Sequence, residues 1–128
     1  MKTRENRKHD HIKYALALAD GPLENGFSQV HVVPNCLPEL NLSQISLATA
    51  LPGIPTLEHP IIINAMTGGA QEAEEINKQL AQVAKLTHSA MAVGSQYGSI
   101  KSNNYLESFT VVRRENPQGI VFANVSPL

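Results

Sequence analysis

Uncharged polar residues follow three short apolar runs of the sequence, and they are its first candidates for chemistry. Thr67 with Gly68-Gly69 follows the first run, Ser95-Gln96 follows the second, and Asn124 follows the third. Hydroxyl and amide groups suit a neutral ring rich in heteroatoms, and paired glycines let backbone amides approach a flat ligand. Each residue alone has an ordinary explanation as a turn, cap or loop residue. Their recurrence after three successive runs predicts a binding site.

A basic cluster near the start of the chain is the second candidate. Arg7, Lys8 and His11 lie within five positions, and a guanidinium beside an ammonium could hold a phosphate or diphosphate. A solvated, disordered terminus explains the same residues, and composition alone favours that explanation. Nucleic-acid binding is favoured less, because no aromatic residues are interleaved and the rest of the chain is not basic.

Metal binding and nucleophilic catalysis find little support in the sequence. The five histidines are scattered, and none forms a ligand pattern with Cys36. Ser95 follows Gly94 but lacks the second glycine of a nucleophile elbow. We therefore expect neither a zinc site nor acyl transfer, and Met66 taken alone would be a packing residue.

Composition places the chain among ordinary globular proteins. Of its 128 residues, 42% are hydrophobic. Ten basic residues nearly balance eleven acidic ones, so the net charge is too small to attract nucleic acid or a membrane. The charged start lacks a secretory signal, and no apolar run approaches the roughly 20 residues of a membrane span. The single cysteine, Cys36, predicts a packed thiol and a cytoplasmic location.

Residues 1–59 are expected to form a lead-in segment that carries the basic cluster. Apolar residues recur at helical spacing from Ile12 to Ala19, and Gly21-Pro22 is a typical helix stop. Val30-His31-Val32-Val33 has the composition of a strand. Short apolar pieces among turn residues follow as far as Pro60. We therefore expect a short leading helix and a strand before the regular part of the fold.

From residue 60 to residue 128 the sequence alternates strand and helix patterns. The predicted strands are Ile61–Ile63, Ala90–Val93 and Ile120–Ala123, whose starts lie roughly 30 residues apart, the size of a strand with its crossover helix. The first intervening helix should bury Ile76, Leu80, Val83 and Ala84. The second aligns Tyr105, Phe109 and Val112 and stops at Asn116-Pro117.

Wholly apolar strands that alternate with helices predict an α/β fold with a parallel sheet covered by helices. An open doubly wound sheet and a closed TIM (β/α)8 barrel both satisfy this pattern. Because a barrel needs about 250 residues, we expect this chain to be the amino-terminal part, about three strands, of a truncated barrel. An unpaired parallel edge would make such a remnant marginally stable.

Several of these residues also occur in the order and spacing of a known family. The motifs are Arg7-Lys8-x-x-His11, Asn64-Ala65-Met66-Thr67-Gly68-Gly69, Ile76-Asn77, Ala92-Val93-Gly94-Ser95-Gln96 and Phe122-Ala123-Asn124. On these motifs the chain resembles, over essentially all of its length, the type 2 isopentenyl diphosphate isomerases, which depend on FMN. The resemblance implies a TIM-barrel flavoprotein that interconverts isopentenyl and dimethylallyl diphosphate by a 1,3-proton shift, for isoprenoid precursor synthesis.

The resemblance also implies a role for individual residues. Substrate contacts are implied for Arg7, Lys8, His11, Ser95 and Gln96, and FMN contacts for Ala65, Met66, Thr67, Gly68, Ser95 and Asn124. The basic cluster would then be a mobile arm that orders over the diphosphate as a lid.

The family's cofactors are implied in the same way. Reduced FMN would perform the acid/base work, NADPH would keep the flavin reduced, and Mg²⁺ would bridge the diphosphate. No catalytic side chain and no metal ligand is expected in this chain, because the family's magnesium ligand would lie beyond Leu128. A homo-octamer is the family's assembly.

Two alternatives to the isomerase remain open. One is an FMN-dependent oxidoreductase of the 2-hydroxy-acid oxidase type on the same barrel, and the other is an inactive truncated remnant that only binds ligands. One departure from the family concerns Tyr97, which stands where many members carry an arginine that adds to diphosphate binding.

Overall fold

The computed structural model describes residues 4–19 and 26–125 and has a mixed α/β architecture. Four α-helices and three strands follow one another along the described chain: α1 Arg4–Ala17, β1 Ile62–Ile63, α2 Ala73–Thr87, β2 Ala90–Ser95, α3 Tyr97–Ser102, α4 Glu107–Glu115 and β3 Val121–Asn124. Two 3-10 turns, Phe27–Gln29 and Leu42–Gln44, lie between α1 and β1. In the described ranges, no helix combines the length and the apolar character needed to cross a membrane.

The three strands form one parallel sheet in the order β1-β2-β3. Ile62 lies opposite Ala90 between β1 and β2. Between β2 and β3, Met91 lies opposite Val121 and Ser95 opposite Asn124. The predicted parallel sheet is therefore confirmed, whereas closure into a TIM barrel stays a prediction.

The core forms where α2 and α4 pack against each other and against the middle strand. Its buried members are Ala81, Ala84, Met91, Val93, Phe109, Val111 and Val112. The predicted face of α2 was wrong in part, because Val83 is 48% exposed and the buried stripe of this helix is Ala73, Asn77, Ala81 and Ala84. Small side chains on this stripe let α4 approach closely, which a stripe of larger residues would prevent.

The first strand is shorter and more exposed than predicted. Only Ile62–Ile63 pairs with β2, and the Ile61 side chain is 59% exposed. In the described residues β1 has one hydrogen-bonded neighbour, so it is an edge strand with no strand paired to the other side of its backbone. The prediction of a buried strand was therefore wrong here.

The lead-in strand predicted at Val30–Val33 was also wrong. These residues pair with no described strand, and Val33 is 91% exposed. An extended peptide becomes a strand only when a neighbour accepts and donates its backbone hydrogen bonds. Cys36 is exposed as well, so the packed thiol was a wrong prediction.

Helix α1 begins earlier than the pattern indicated. It runs from Arg4 to Ala17, so the basic cluster lies inside the helix and not on an arm that precedes it. The cluster is therefore helical in this structure, and its role as a mobile arm over the diphosphate stays a prediction. The proposed stop at Gly21-Pro22 lies outside the described residues.

Candidate functional site

The carboxyl ends of the strands bring the predicted polar residues to one edge of the sheet. The Gly94 backbone N–H donates to Thr67 O at 2.7 Å, which joins the loop after β1 to the end of β2. The Gln96 N–H donates to Asn124 O at 2.9 Å, and Ser95 lies opposite Asn124 in the sheet. Because parallel strands end at the same edge, residues far apart in sequence become neighbours. Their role in binding stays a prediction.

The loop after β1 turns on the paired glycines. Gly68 has φ +151° and Gly69 has φ +70°, a backbone region that side chains with a Cβ rarely adopt. A Cβ on Gly68 would also overlap the Phe109 ring. The two glycines therefore let the loop lie directly against α4, whereas their predicted approach to a flat ligand stays a prediction.

A buried asparagine on α2 holds this loop through side-chain hydrogen bonds. The Asn77 side chain is fully buried, and its Nδ2 donates to Ser108 O at 2.5 Å and to Thr67 O at 3.3 Å. The Thr67 hydroxyl donates to Asn77 Oδ1. A buried amide with all of these partners satisfied fixes the backbone on both sides of it.

Ser108 on α4 completes the support of the loop. Its buried hydroxyl accepts a hydrogen bond from Gly69 N at 2.8 Å and donates to Tyr105 O at 2.7 Å. Sequence analysis noted Asn77 only as part of a family motif and missed Ser108 altogether. The sequence signal that could have revealed this network is Asn77, a polar residue on a face of α2 that otherwise carries small side chains. A buried polar group needs hydrogen-bond partners, and Ser108 supplies one of them.

Lys8 connects helix α1 to the same edge of the sheet. Its ammonium donates to Gly68 O and to Ser95 O, the latter at 3.3 Å, and lies 5.9 Å from the centre of the Phe109 ring. The distance to the ring is within the range of a cation–π contact. One basic residue of the predicted cluster therefore reaches the predicted polar residues directly.

The other two members of the basic cluster are more exposed than Lys8. Arg7 and His11 are one helical turn apart, so they share a face of α1. His11 lines a small cavity of about 60 Å³ together with Lys8, Met66 and Thr67. Lys8 and His11 therefore lie over the loop after β1.

A contact between α1 and the start of α2 also holds the helix in place. His9 Nδ1 lies 3.0 Å from Glu72 Oε1, and both side chains are exposed. The pKa of Glu72 lies below its usual value, chiefly because its own backbone N–H donates to the carboxylate and to a smaller extent because of His9. An exposed pair of this kind adds little stability.

The remaining residues implied for cofactor contact lie on the same loop. Ala65 is half-buried, and its N–H donates to Asn64 Oδ1 at 2.8 Å. Met66 is 67% exposed, so the explanation of this methionine as a packing residue was wrong. An exposed thioether beside Thr67 could cover a flat ligand.

The polar residues at this edge fit the chemistry of a flavin ring. Ser95 Oγ is buried and has no hydrogen-bond partner among the described residues, although buried hydroxyls are usually bonded. Thr67 and Asn124 add uncharged polar residues at the same edge of the sheet. The cavity beside Lys8, Met66 and Thr67 encloses only about 60 Å³, whereas small-molecule sites usually enclose about 300–1,000 Å³. A flavin ring placed in that cavity would therefore need Lys8 and α1 to withdraw.

A roomier cavity, of about 540 Å³, lies at the opposite edge of the sheet, between residues such as Leu57, His88 and Gly119. Ligands of parallel α/β folds gather at the carboxyl edge, where loops and helix amino termini converge, so volume alone does not favour this cavity. Residues 4–19 and 26–125 contain no group of three side chains that could hold a metal ion.

Comparison with known proteins finds isopentenyl-diphosphate delta-isomerases of Staphylococcus aureus. The proteins of strains Mu3 and N315 are 39% identical to the chain over 122 residues, which is 95% of the chain. The protein of strain Newman is 38% identical over the same length. The chain spans 34% of the length of these relatives. No protein-family model matches it. These relatives confirm the resemblance to isopentenyl-diphosphate delta-isomerases, and the dependence on FMN stays a prediction.

Proposed function

We propose that this chain contributes the diphosphate-binding and FMN-binding residues of an isopentenyl-diphosphate delta-isomerase. The observation that carries the proposal is the position of Lys8, whose ammonium lies against Gly68 O and Ser95 O at the strand ends. A cation and a row of uncharged polar residues thus meet at one edge of the sheet. A diphosphate substrate beside a neutral cofactor ring needs both.

Three residues of α1 would bind the diphosphate. Arg7 and His11 share one face of the helix, and Lys8 lies next to them. Two partners of the Lys8 ammonium, Gly68 O and Ser95 O, are neutral carbonyl oxygens, whereas a diphosphate oxygen is charged and forms a stronger bond. The substrate would therefore draw Lys8 away from the loop and open the space above the strand ends.

The strand ends would bind the flavin. Thr67, Ser95 and Asn124 offer hydroxyl and amide groups, and the unpartnered Ser95 Oγ would gain a hydrogen bond. Ala65, Met66 and Gly68 would contact the ring from the same loop, and Gln96 would face the substrate. When bound, reduced FMN would supply the acid/base chemistry, with NADPH as reductant and Mg²⁺ on the diphosphate.

Helix α1 would also exclude water from the reacting carbons. It lies over the loop after β1 through Lys8 and His9, so it would close the site once the substrate held it there. An oxidoreductase of the 2-hydroxy-acid oxidase type would share the flavin but would not need this cationic helix. The location in the cytoplasm and the homo-octamer stay predictions.

Asn124→Ala should weaken FMN binding by about tenfold, because one hydrogen bond to a bound ligand contributes about 1.4 kcal/mol. Quenching of flavin fluorescence during a titration of the purified chain measures the dissociation constant. Gln118→Ala is the control, since Gln118 is exposed in the turn at the opposite edge. No binding of FMN by the wild type at millimolar concentrations would contradict the flavin assignment.

Arg7→Ala should raise the KM for isopentenyl diphosphate by roughly tenfold to a hundredfold and leave kcat within about threefold, because a guanidinium on the diphosphate binds ground and transition states alike. The assay uses a chimera in which this chain replaces its matching segment of the Staphylococcus aureus isomerase.

The control for this assay is Lys13→Ala, which removes an exposed positive charge from the same helix. It should leave KM within about twofold. An unchanged KM in Arg7→Ala would refute the role of Arg7 in binding. An inactive wild-type chimera that still folds and binds FMN would refute the isomerase assignment.

A further inference from the structure

The orientation of the Asn77 side-chain amide is set by its contacts. The amide atom that faces Ser108 O at 2.5 Å and Thr67 O at 3.3 Å must be the nitrogen, because both neighbours are backbone carbonyl oxygens that need a donor. Ser108 O is a carbonyl and carries no hydrogen. The second amide hydrogen is directed to Thr67 O at 3.3 Å. Asn77 Oδ1 is therefore the atom that faces the Thr67 hydroxyl.

This orientation determines how the Thr67 hydroxyl can bond. Asn77 Oδ1 has no hydrogen, so Thr67 must donate its single hydroxyl hydrogen to it. The lone pairs of Thr67 Oγ1 remain for other partners. Toward a ligand, this hydroxyl is then an acceptor and not a donor.

We propose that Asn77 is a positioning residue that makes Thr67 accept a hydrogen bond from an N–H group of the bound ring. This inference rests on the proposed function for the identity of the ring, which is FMN. Flavin rings carry both N–H donors and carbonyl acceptors, so a hydroxyl that is free to rotate could meet either. A hydroxyl held by Asn77 accepts only, and it therefore restricts how the ring can lie over the loop.

The burial of Asn77 makes this restriction strong. The side chain is fully buried between α2, the loop after β1 and α4. Rotating the amide would put Oδ1 against Ser108 O and leave both oxygens without a hydrogen between them. The orientation should therefore be the same with and without a ligand.

Nuclear magnetic resonance of the wild-type chain tests the hydroxyl without any ligand. We expect a resolved Thr67 hydroxyl proton whose exchange with water is slowed at least tenfold relative to that of Thr56, which is exposed. The signal should disappear in Thr67→Val. A Thr67 hydroxyl proton that exchanges as fast as that of Thr56 would overturn the inference.

Titration with FMN tests the acceptor role. Thr67→Val keeps the shape of the side chain and should weaken FMN binding by about tenfold, while Thr67→Ser should stay within about threefold of the wild type. Equal affinities in all three proteins would overturn the acceptor role. If the wild type binds no FMN, the flavin assignment of the proposed function fails, whereas the resonance measurement still decides the orientation of the hydroxyl.

A double-mutant cycle separates positioning from simple support of the fold. Asn77→Ala should weaken FMN binding several-fold more in the wild-type background than in the Thr67→Val background, because the effect passes through the hydroxyl. Equal losses in both backgrounds would show that Asn77 only supports the loop. If Asn77→Ala fails to fold, the Thr67 variants and the resonance measurement decide the inference.

Discussion

Gly94→Ala is expected to destabilise the fold by about 1–3 kcal/mol, the usual effect of overfilling a packed site. A Cβ at this position would lie 2.6 Å from Thr67 O and 2.7 Å from Thr67 C. Both are backbone atoms, so no flexible side chain can move aside. The hydrogen bond from Gly94 N to Thr67 O, at 2.7 Å, would have to lengthen or break. Urea unfolding measures the loss.

The same substitution should also impair the site. A Cβ on Gly94 would move Thr67 away from β2 and so increase its distance from Ser95. Because both residues are proposed to contact FMN, we expect weaker FMN binding in addition to lower stability. Gly98→Ala is the matched control, because a Cβ on Gly98 in α3 would meet no atom within 4 Å. That change should be neutral or stabilise by up to about 1 kcal/mol. Similar losses in the two variants would contradict the close approach at Gly94.

Phe109→Ala is expected to cost about 3–5 kcal/mol, or to abolish cooperative unfolding altogether. The ring belongs to the core and is 8% exposed. It also lies directly under Gly68 and within cation–π distance of the Lys8 ammonium. Removing it would leave a cavity beneath the loop as well as inside the core.

Leu106→Ala is the control for this prediction. Leu106 precedes α4 and is 47% exposed, so its truncation should cost less than about 1 kcal/mol. Circular dichroism during thermal unfolding compares the two variants. Equal stabilities would show that the Phe109 ring is not a core element. If Phe109→Ala were stable and Lys8 still contacted Gly68, the claim that the Phe109 ring supports the loop would be contradicted.

Local sequence signals predicted the regular part of the fold well. The β-branched run before Asn64 and the small apolar run from Ala90 both became strands of a parallel sheet. Asn116-Pro117 ended a helix where expected, since the residue before a proline avoids the helical conformation. These features depend on a few adjacent residues.

Predictions that depended on a distant partner were less successful. Val30–Val33 has the composition of a strand, but composition does not supply a neighbour to pair with. On α2, helical periodicity allowed either of two adjacent faces to be buried. The close approach of α4 selected the face with Asn77 and the small alanines over the one with Val83.

By itself the sequence determined which residues end the parallel strands, and hence that Thr67, Ser95 and Asn124 share an edge of the sheet. Only the tertiary structure decided what acts on those residues. Lys8 reaches Gly68 and Ser95 from 60 and 87 positions away. Asn77 determines how the Thr67 hydroxyl bonds. Local periodicity encodes strands and turns, whereas these contacts exist only once separate helices have packed against the sheet.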